Sequence, residues 1–139
     1  MISSDTNVVS ELMRVEPASA VRAWVSEQGH HELRITAITL AEILCGIERL
    51  PSGRRKDTLR EAAVDVFSRF ADDVLPFDVA AATVYPEIVD HRDRQGTPIS
   101  GYDAQIAAIC RANNAFLATR SERDFAEVGI ELINPWSSG

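Results

Sequence analysis

Little in this chain points to the commoner kinds of enzyme. Its 139 residues include two cysteines and three histidines. Cys45 and Cys110 lie in separate apolar stretches with no close spacing, which argues against a disulfide or a thiolate metal site. They read as two small core residues of a cytosolic protein. His30, His31 and His91 have no ligand spacing with one another, and the adjacent pair reads as surface after Gly29. No Gly-rich phosphate loop and no Ser/His/Asp or Cys/His nucleophile set is visible. No apolar run reaches about 18 residues, so no membrane span is expected. No basic segment precedes an apolar one at the start, so no signal peptide is expected either. Repeats, linkers and low-complexity runs are absent. Positive charge is scarce: 14 Lys and Arg against 21 Asp and Glu leave a net charge of −7. Nucleic-acid binders are usually basic; the best local basic patch is Arg49, Arg54, Arg55, Lys56 and Arg60, which equally fits a solvated helix start.

What the chain does have is a hydrophobic content of 45%, enough for one packed core. A single domain over 1–136 with a tail at 137–139 is expected, burying about two-thirds of its unfolded surface. Short apolar strands (1–4, 32–36, 74–77, 115–118, 130–133) alternate with helices. Helices are expected over 7–13, 17–27, 39–50, 54–72, 79–94 and 101–113, with a short one from Ser121. Val21, Trp24 and Val25 make one apolar face; Leu40, Ile43, Leu44 and Ile47 another; Leu59, Ala62, Ala63, Val66, Phe67 and Phe70 a third. Asp78 fits an N-cap, and Ser100 or Gly101 begins the sixth helix. Such alternation predicts an α/β fold: a short central parallel sheet covered by helices on both faces, a three-layer sandwich. Ligands in such folds bind beyond the carboxyl ends of the strands, where Asp5 and the run Thr119-Arg120-Ser121 both fall.

Four acids stand at element ends within apolar sequence: Asp5, Glu42, Asp103 and Asp124. Carboxylates forced together repel unless a cation neutralises them. Hard oxygen ligands suit Mg²⁺ or Mn²⁺, and such an ion can hydrolyse a phosphodiester. Each acid also has a plainer role. Asp5 could simply cap the helix that follows. Glu42 could be a surface acid. Asp103 could serve the helix dipole alone. Glu48, Asp78, Asp90 and Asp93 read as solvent-facing or capping acids outside the site.

Taken in order, Asp5-Thr6-Asn7-Val8-Val9-Ser10-Glu11-Leu12, Thr39-Leu40-Ala41-Glu42-Ile43, Leu75-Pro76-Phe77-Asp78, Asp103-Ala104-Gln105-Ile106-Ala107-Ala108, Leu117-Ala118-Thr119-Arg120, Asp124-Phe125 and Ile133-Asn134-Pro135-Trp136 resemble the PIN-domain ribonucleases. Within them the chain is similar to the VapC-type toxins of toxin–antitoxin pairs, including the FitB-like branch. The likeness runs from Met1 to Trp136. It implies a PIN-domain-like sandwich and a Mg-dependent (or Mn-dependent) endoribonuclease, with Asp5, Glu42, Asp103 and Asp124 holding one or two ions. Thr6 would orient Asp5 or touch water, Thr119 and Ser121 would position water or phosphate, and Arg120 would contact phosphate or pair with an acid at the rim. It also implies a cytoplasmic protein, a homodimer, an RNA substrate and a cognate VapB-like antitoxin lying across the groove. Leu12, Trp24 and Leu44 are candidate groove contacts that equally suit the core. Two departures stand out. Ser121 occupies a place where the family usually has Asn or Asp, which shifts the fourth ligand toward Asp124. Ser3-Ser4 replaces aliphatic residues in the first strand.

The competing readings are weaker on the residues. An aspartyl-phosphate phosphatase uses a second Asp two residues after the first, where this chain has Asn7, and no catalytic Lys follows Thr119. A receiver-like signalling domain lacks its acidic pair and Lys for the same reason. A catalytically weak PIN-like RNA- or partner-binding module stays open because of Ser121 and the acidic net charge.

Overall fold

A computed structural model describes the chain except residues 30, 31, 71–73, 138 and 139. Four strands form one parallel sheet in the order β2-β1-β3-β4: β1 Ile2–Ser4, β2 Leu33–Arg34, β3 Phe116–Ala118 and β4 Leu132–Ile133. Among the described residues six helices surround it: α1 Thr6–Leu12, α2 Ser19–Glu27, α3 Ala37–Glu48, α4 Arg54–Phe67, α5 Val79–Arg94 and α6 Gly101–Ala112. A single 3-10 turn, Glu122–Phe125, follows β3.

The strands are short because they are buried on both faces and need only a few apolar residues to span the core. Side chains alternate across β3: Leu117 joins the core beneath α5 and α6, and Ala118 joins the core beneath α1 to α4. That alternation separates two helix layers by one sheet, the three-layer sandwich expected from the sequence. In β1, Ser4 Oγ is buried without a hydrogen-bond partner among the described residues, so the polar departure noted in this strand leaves an orphaned hydroxyl in the core.

Helix boundaries follow their caps. Thr36 Oγ1 accepts from Thr39 N–H at 3.0 Å, Asp78 Oδ1 from Ala81 N–H at 3.0 Å, and Ser100 Oγ from Asp103 N–H at 3.2 Å. Ser100, not Gly101, is therefore the cap of α6.

Several expectations need correction. The segment 74–77 is not a strand: it makes one isolated bridge, Leu75 to Thr36. Leu75 N–H donates to Ile35 O at 2.9 Å and Leu75 O accepts from Ala37 N–H at 2.8 Å. The ladder stops there because its partner turns into α3 at Ala37. Helix α4 ends at Phe67, not at 72, where i→i−3 bonds tighten the chain (Phe70 N–H to Phe67 O, 3.2 Å); Phe70 still reaches the core. Cys45 is exposed and only Cys110 is buried. Leu44 points outward at 47% exposure, while Leu12 and Trp24 are core. The surface reading of His30 and His31, the last residues of the expected 54–72 helix, and the tail beyond 137 lie outside the described residues.

Candidate active site

Parallel pairing aligns the carboxyl ends of β1 and β3, Ser4 opposite Ala118. The next residue of each chain segment is therefore Asp5 and Thr119, side by side at the strand mouth. Asp5 N–H donates to Ala118 O at 2.9 Å, which carries the pairing one residue beyond the strand. Asp5 Oδ1 accepts from Thr6 N–H at 2.8 Å and Oδ2 from Thr119 Oγ1 at 2.8 Å. The residue is thus a helix cap, as its plainer reading held, yet it is also 5% exposed at the floor of a cleft. Burial pushes its carboxyl from 3.8 up to about 6; the two hydrogen bonds oppose that rise, and the negative charges of Asp103 and Glu42 add to it.

Glu42 enters from α3, half-buried, and Oε1 accepts from Thr6 Oγ1 at 3.0 Å. Thr6 therefore links the first two acids: its N–H holds Asp5 and its hydroxyl holds Glu42. Asp103 enters from the first turn of α6. Burial raises both carboxyls; Asp103 adds to the rise at Glu42, and Asp124 adds to the rise at Asp103 while Arg92 opposes it. Burial is the larger cause at each acid, and the mutual elevation beside it marks acids near enough to feel one another's charge.

Asp5, Thr6, Glu42, Asp103 and Ser121 line one open cleft of about 600 Å³. Asp124 does not. It is exposed in the 3-10 turn, where its backbone carbonyl accepts from Arg92 Nη1 at 2.9 Å, and it touches the site only through its charge on Asp103. Among the described residues no three His, Cys, Asp or Glu side chains stand close enough to grip an ion. The donor chemistry still fits a divalent cation: three hard carboxylates with raised pKa values line one cleft, and all three gain from a positive charge between them.

Sequence reasoning passed over several cleft residues. Asn7 Nδ2 donates to Ser121 Oγ at 3.0 Å and to Thr119 Oγ1 at 3.3 Å, and Asn7 Oδ1 accepts from Arg120 N–H at 3.2 Å. It fixes the loop after β3 against α1. Its place two residues after a strand-terminal Asp was the available signal. Glu11 is a buried acid at the cleft edge whose Oε2 accepts from Ala18 N–H at 2.9 Å; nothing in its local sequence sets it apart from a surface helix acid. Arg120 makes no ion pair with a cleft acid among the described residues. Its guanidinium lies 5.1 Å from the ring centroid of Trp136, which also lines the cleft.

A second hollow of about 350 Å³ continues from the cleft, sharing Thr6, Ser10, Arg14 and Glu42. Its walls are mainly apolar, with Met13, Ile43 and Ile47, and Arg55 stands at its rim. The rest of the basic patch is partly spoken for: Lys56 and Arg60 pair with Glu48 at 3.8 and 3.3 Å. Asp90 pairs with Arg94 at 2.8 Å, outside the site as expected.

Comparison with known proteins gives one consistent family. The PIN domain model matches residues 3–131. VapC ribonuclease Y4jK of Sinorhizobium fredii is 37% identical over 137 residues, covering 98% of each chain. Toxin FitB of Neisseria gonorrhoeae is 34% identical over 137 residues, covering 98% of this chain and 99% of that protein. The crystal structure of FitAcB from Neisseria gonorrhoeae superposes with a TM-score of 0.89 at 33% identity, covering 99% of each chain.

Proposed function

The chain belongs to the PIN-domain family, and from that premise we propose that it is the ribonuclease toxin of a toxin–antitoxin pair, cutting RNA phosphodiester bonds with the help of a divalent cation. The observation that carries the proposal is the meeting of Asp5, Glu42 and Asp103 in one cleft at the carboxyl ends of β1 and β3.

Asp5, Glu42 and Asp103 would hold Mg²⁺, with Mn²⁺ as the alternative ion. When bound, the ion supplies Lewis acidity for water activation and neutralises charge at the scissile phosphate. The chain's own residues do the rest. Thr6 and Thr119 fix the two carboxylate oxygens of Asp5, so that acid is oriented before any ligand arrives. Thr6 Oγ1 likewise turns Glu42 toward the cleft. Asn7 holds Ser121 so that its hydroxyl can position water or a phosphate oxygen. Asp124 acts from outside this set, through its charge on Asp103.

The partner in this reading is a small VapB-like antitoxin, as in the toxin–antitoxin complexes of the relatives, and the free protein pairs as a homodimer in the cytoplasm. No helix among the described residues is long and apolar enough to cross a membrane.

The test is cleavage of total cellular RNA by purified, antitoxin-free protein, parent beside Asp5→Asn, with Mg²⁺, with Mn²⁺ and with EDTA. Discrete fragments that need both metal and Asp5 establish the nuclease and reveal the RNA class. A folded parent that leaves all RNA intact sinks the nuclease and favours the binding-module reading, for which Ser121 and the acidic net charge speak.

A further inference from the structure

Arg120 poses a question that acid chemistry leaves unanswered. Four carboxylates line its cleft, from Asp5, Glu11, Glu42 and Asp103, and the other cleft arginine, Arg14, sits 3.5 Å from Glu11. Arg120 takes none of these partners among the described residues. Its guanidinium stacks over the indole of Trp136 instead, 5.1 Å from the ring centroid. Two anchors keep it there. Its backbone N–H donates to Asn7 Oδ1 at 3.2 Å, and the Asn134-Pro135-Trp136 turn is closed by Trp136 N–H on Asn134 Oδ1 at 3.0 Å. The indole packs against the core beneath α1 to α4, which holds it in place.

Among the described residues Trp136 is the sole aromatic lining the acidic cleft. Proteins that handle single-stranded nucleic acid need flat surfaces for unstacked bases, and aromatic rings and arginine planes supply them. A guanidinium also stacks on an aromatic face without losing its charge. A plane of that kind at the cleft wall offers a flat face to an unstacked base.

We propose that Arg120 and Trp136 form a stacking platform for an unpaired RNA base next to the bond that is cut. The proposal rests on the ribonuclease reading for its substrate. The platform requires the nucleotide that enters the cleft to leave any helix first.

The test reads Trp136 itself. Trp24, the second of two tryptophans, is 6% exposed in the core, so the emission difference between the parent and Trp136→Phe isolates the cleft residue. Parent protein with Mg²⁺ is mixed by stopped flow with single-stranded oligo(A), and separately with the same strand annealed to oligo(U). Quenching of the Trp136 signal by the single strand and not by the duplex is expected. In steady-state cleavage, Trp136→Leu and Arg120→Ala raise KM about tenfold with kcat changed less than about twofold. Trp136→Phe, which keeps a ring face, recovers most of the loss. An unchanged Trp136 signal at RNA concentrations the parent cleaves overturns the platform and leaves the nuclease standing. Quenching without any cleavage supports the platform and removes the nuclease. The fluorescence measurement keeps both side chains, so it decides the matter even if Trp136→Leu does not fold.

Discussion

Thr119 Oγ1 donates to Asp5 Oδ2 across 2.8 Å, joining residues 114 positions apart at the ends of the two central strands. Thr119 also accepts from Ser121 N–H at 3.0 Å and from Asn7 Nδ2 at 3.3 Å. With two donors already aimed at its oxygen, the hydroxyl proton is left for Asp5. Thr119→Val keeps the shape and removes the hydroxyl. Stability at neutral pH should fall by about 2–3 kcal/mol, because a buried carboxylate loses a charge-assisted bond. The loss should shrink in acid, where Asp5 is neutral. Urea denaturation at two pH values measures both.

Asp5 itself gives stability an unusual pH dependence. Its folded carboxyl titrates near 6, above the ordinary 3.8. The folded chain then binds this proton more tightly than the unfolded chain. Stability from the group is fully present below about 3.8 and is lost as pH rises through 6. Above that window the buried charge costs on the order of 3 kcal/mol. In metal-free buffer with EDTA, the parent should lose stability between those pH values while Asp5→Asn loses far less. An Asp5→Asn variant as pH-sensitive as the parent across that window would show that another group carries the effect.

Glu42 and Asp103 should separate from Asp124 in a metal titration. Mg²⁺ that binds only the folded protein raises stability by about 2.7 kcal/mol at a hundredfold excess over Kd. Glu42→Gln and Asp103→Asn should abolish most of this gain. Asp124→Asn should keep it, because Asp124 is exposed and lies outside the cleft lining. Thermal unfolding against Mg²⁺ concentration reads all three. Loss of the gain in Asp124→Asn would return that residue to the ligand set.

Arg92 is 6% exposed and ties α5 to the turn that carries Asp124. Nη1 donates to Asp124 O at 2.9 Å and Ala126 O at 3.2 Å, and Nε donates to Thr97 O at 2.7 Å. Arg92→Met fills similar space but strands those carbonyls. A loss of at least about 2 kcal/mol is expected in chemical denaturation. Arg92 also lowers the Asp103 carboxyl pKa, so its removal should raise that pKa further, which carboxylate titration by NMR would detect.

Much of this protein was legible in the sequence because its signals are local. Period-2 and period-3.6 apolar patterns place strands and helices wherever one face must be buried, and Asp78 and Ser100 cap their helices by bonds within three residues. Asp5, Glu42 and Asp103 could be singled out because a carboxylate in an apolar stretch is costly without a purpose. What the sequence misjudged depends on neighbours far along the chain. Segment 74–77 has the composition of a strand, but its pairing ends where Thr36 starts a helix. Cys45 and Leu44 are apolar residues on a helix whose outer side meets no partner.

The order of the acids, their helices and the parallel sheet were thus set by patterns that any short window of the chain contains. Which acids share the cleft was decided by the register of β1 on β3, which brings Asp5 to Thr119. The same folding leaves Asp124 outside on a turn held by Arg92 and stacks Arg120 on Trp136. Those contacts join residues many positions apart, and only the packing of the sheet between its two helix layers fixes their distances.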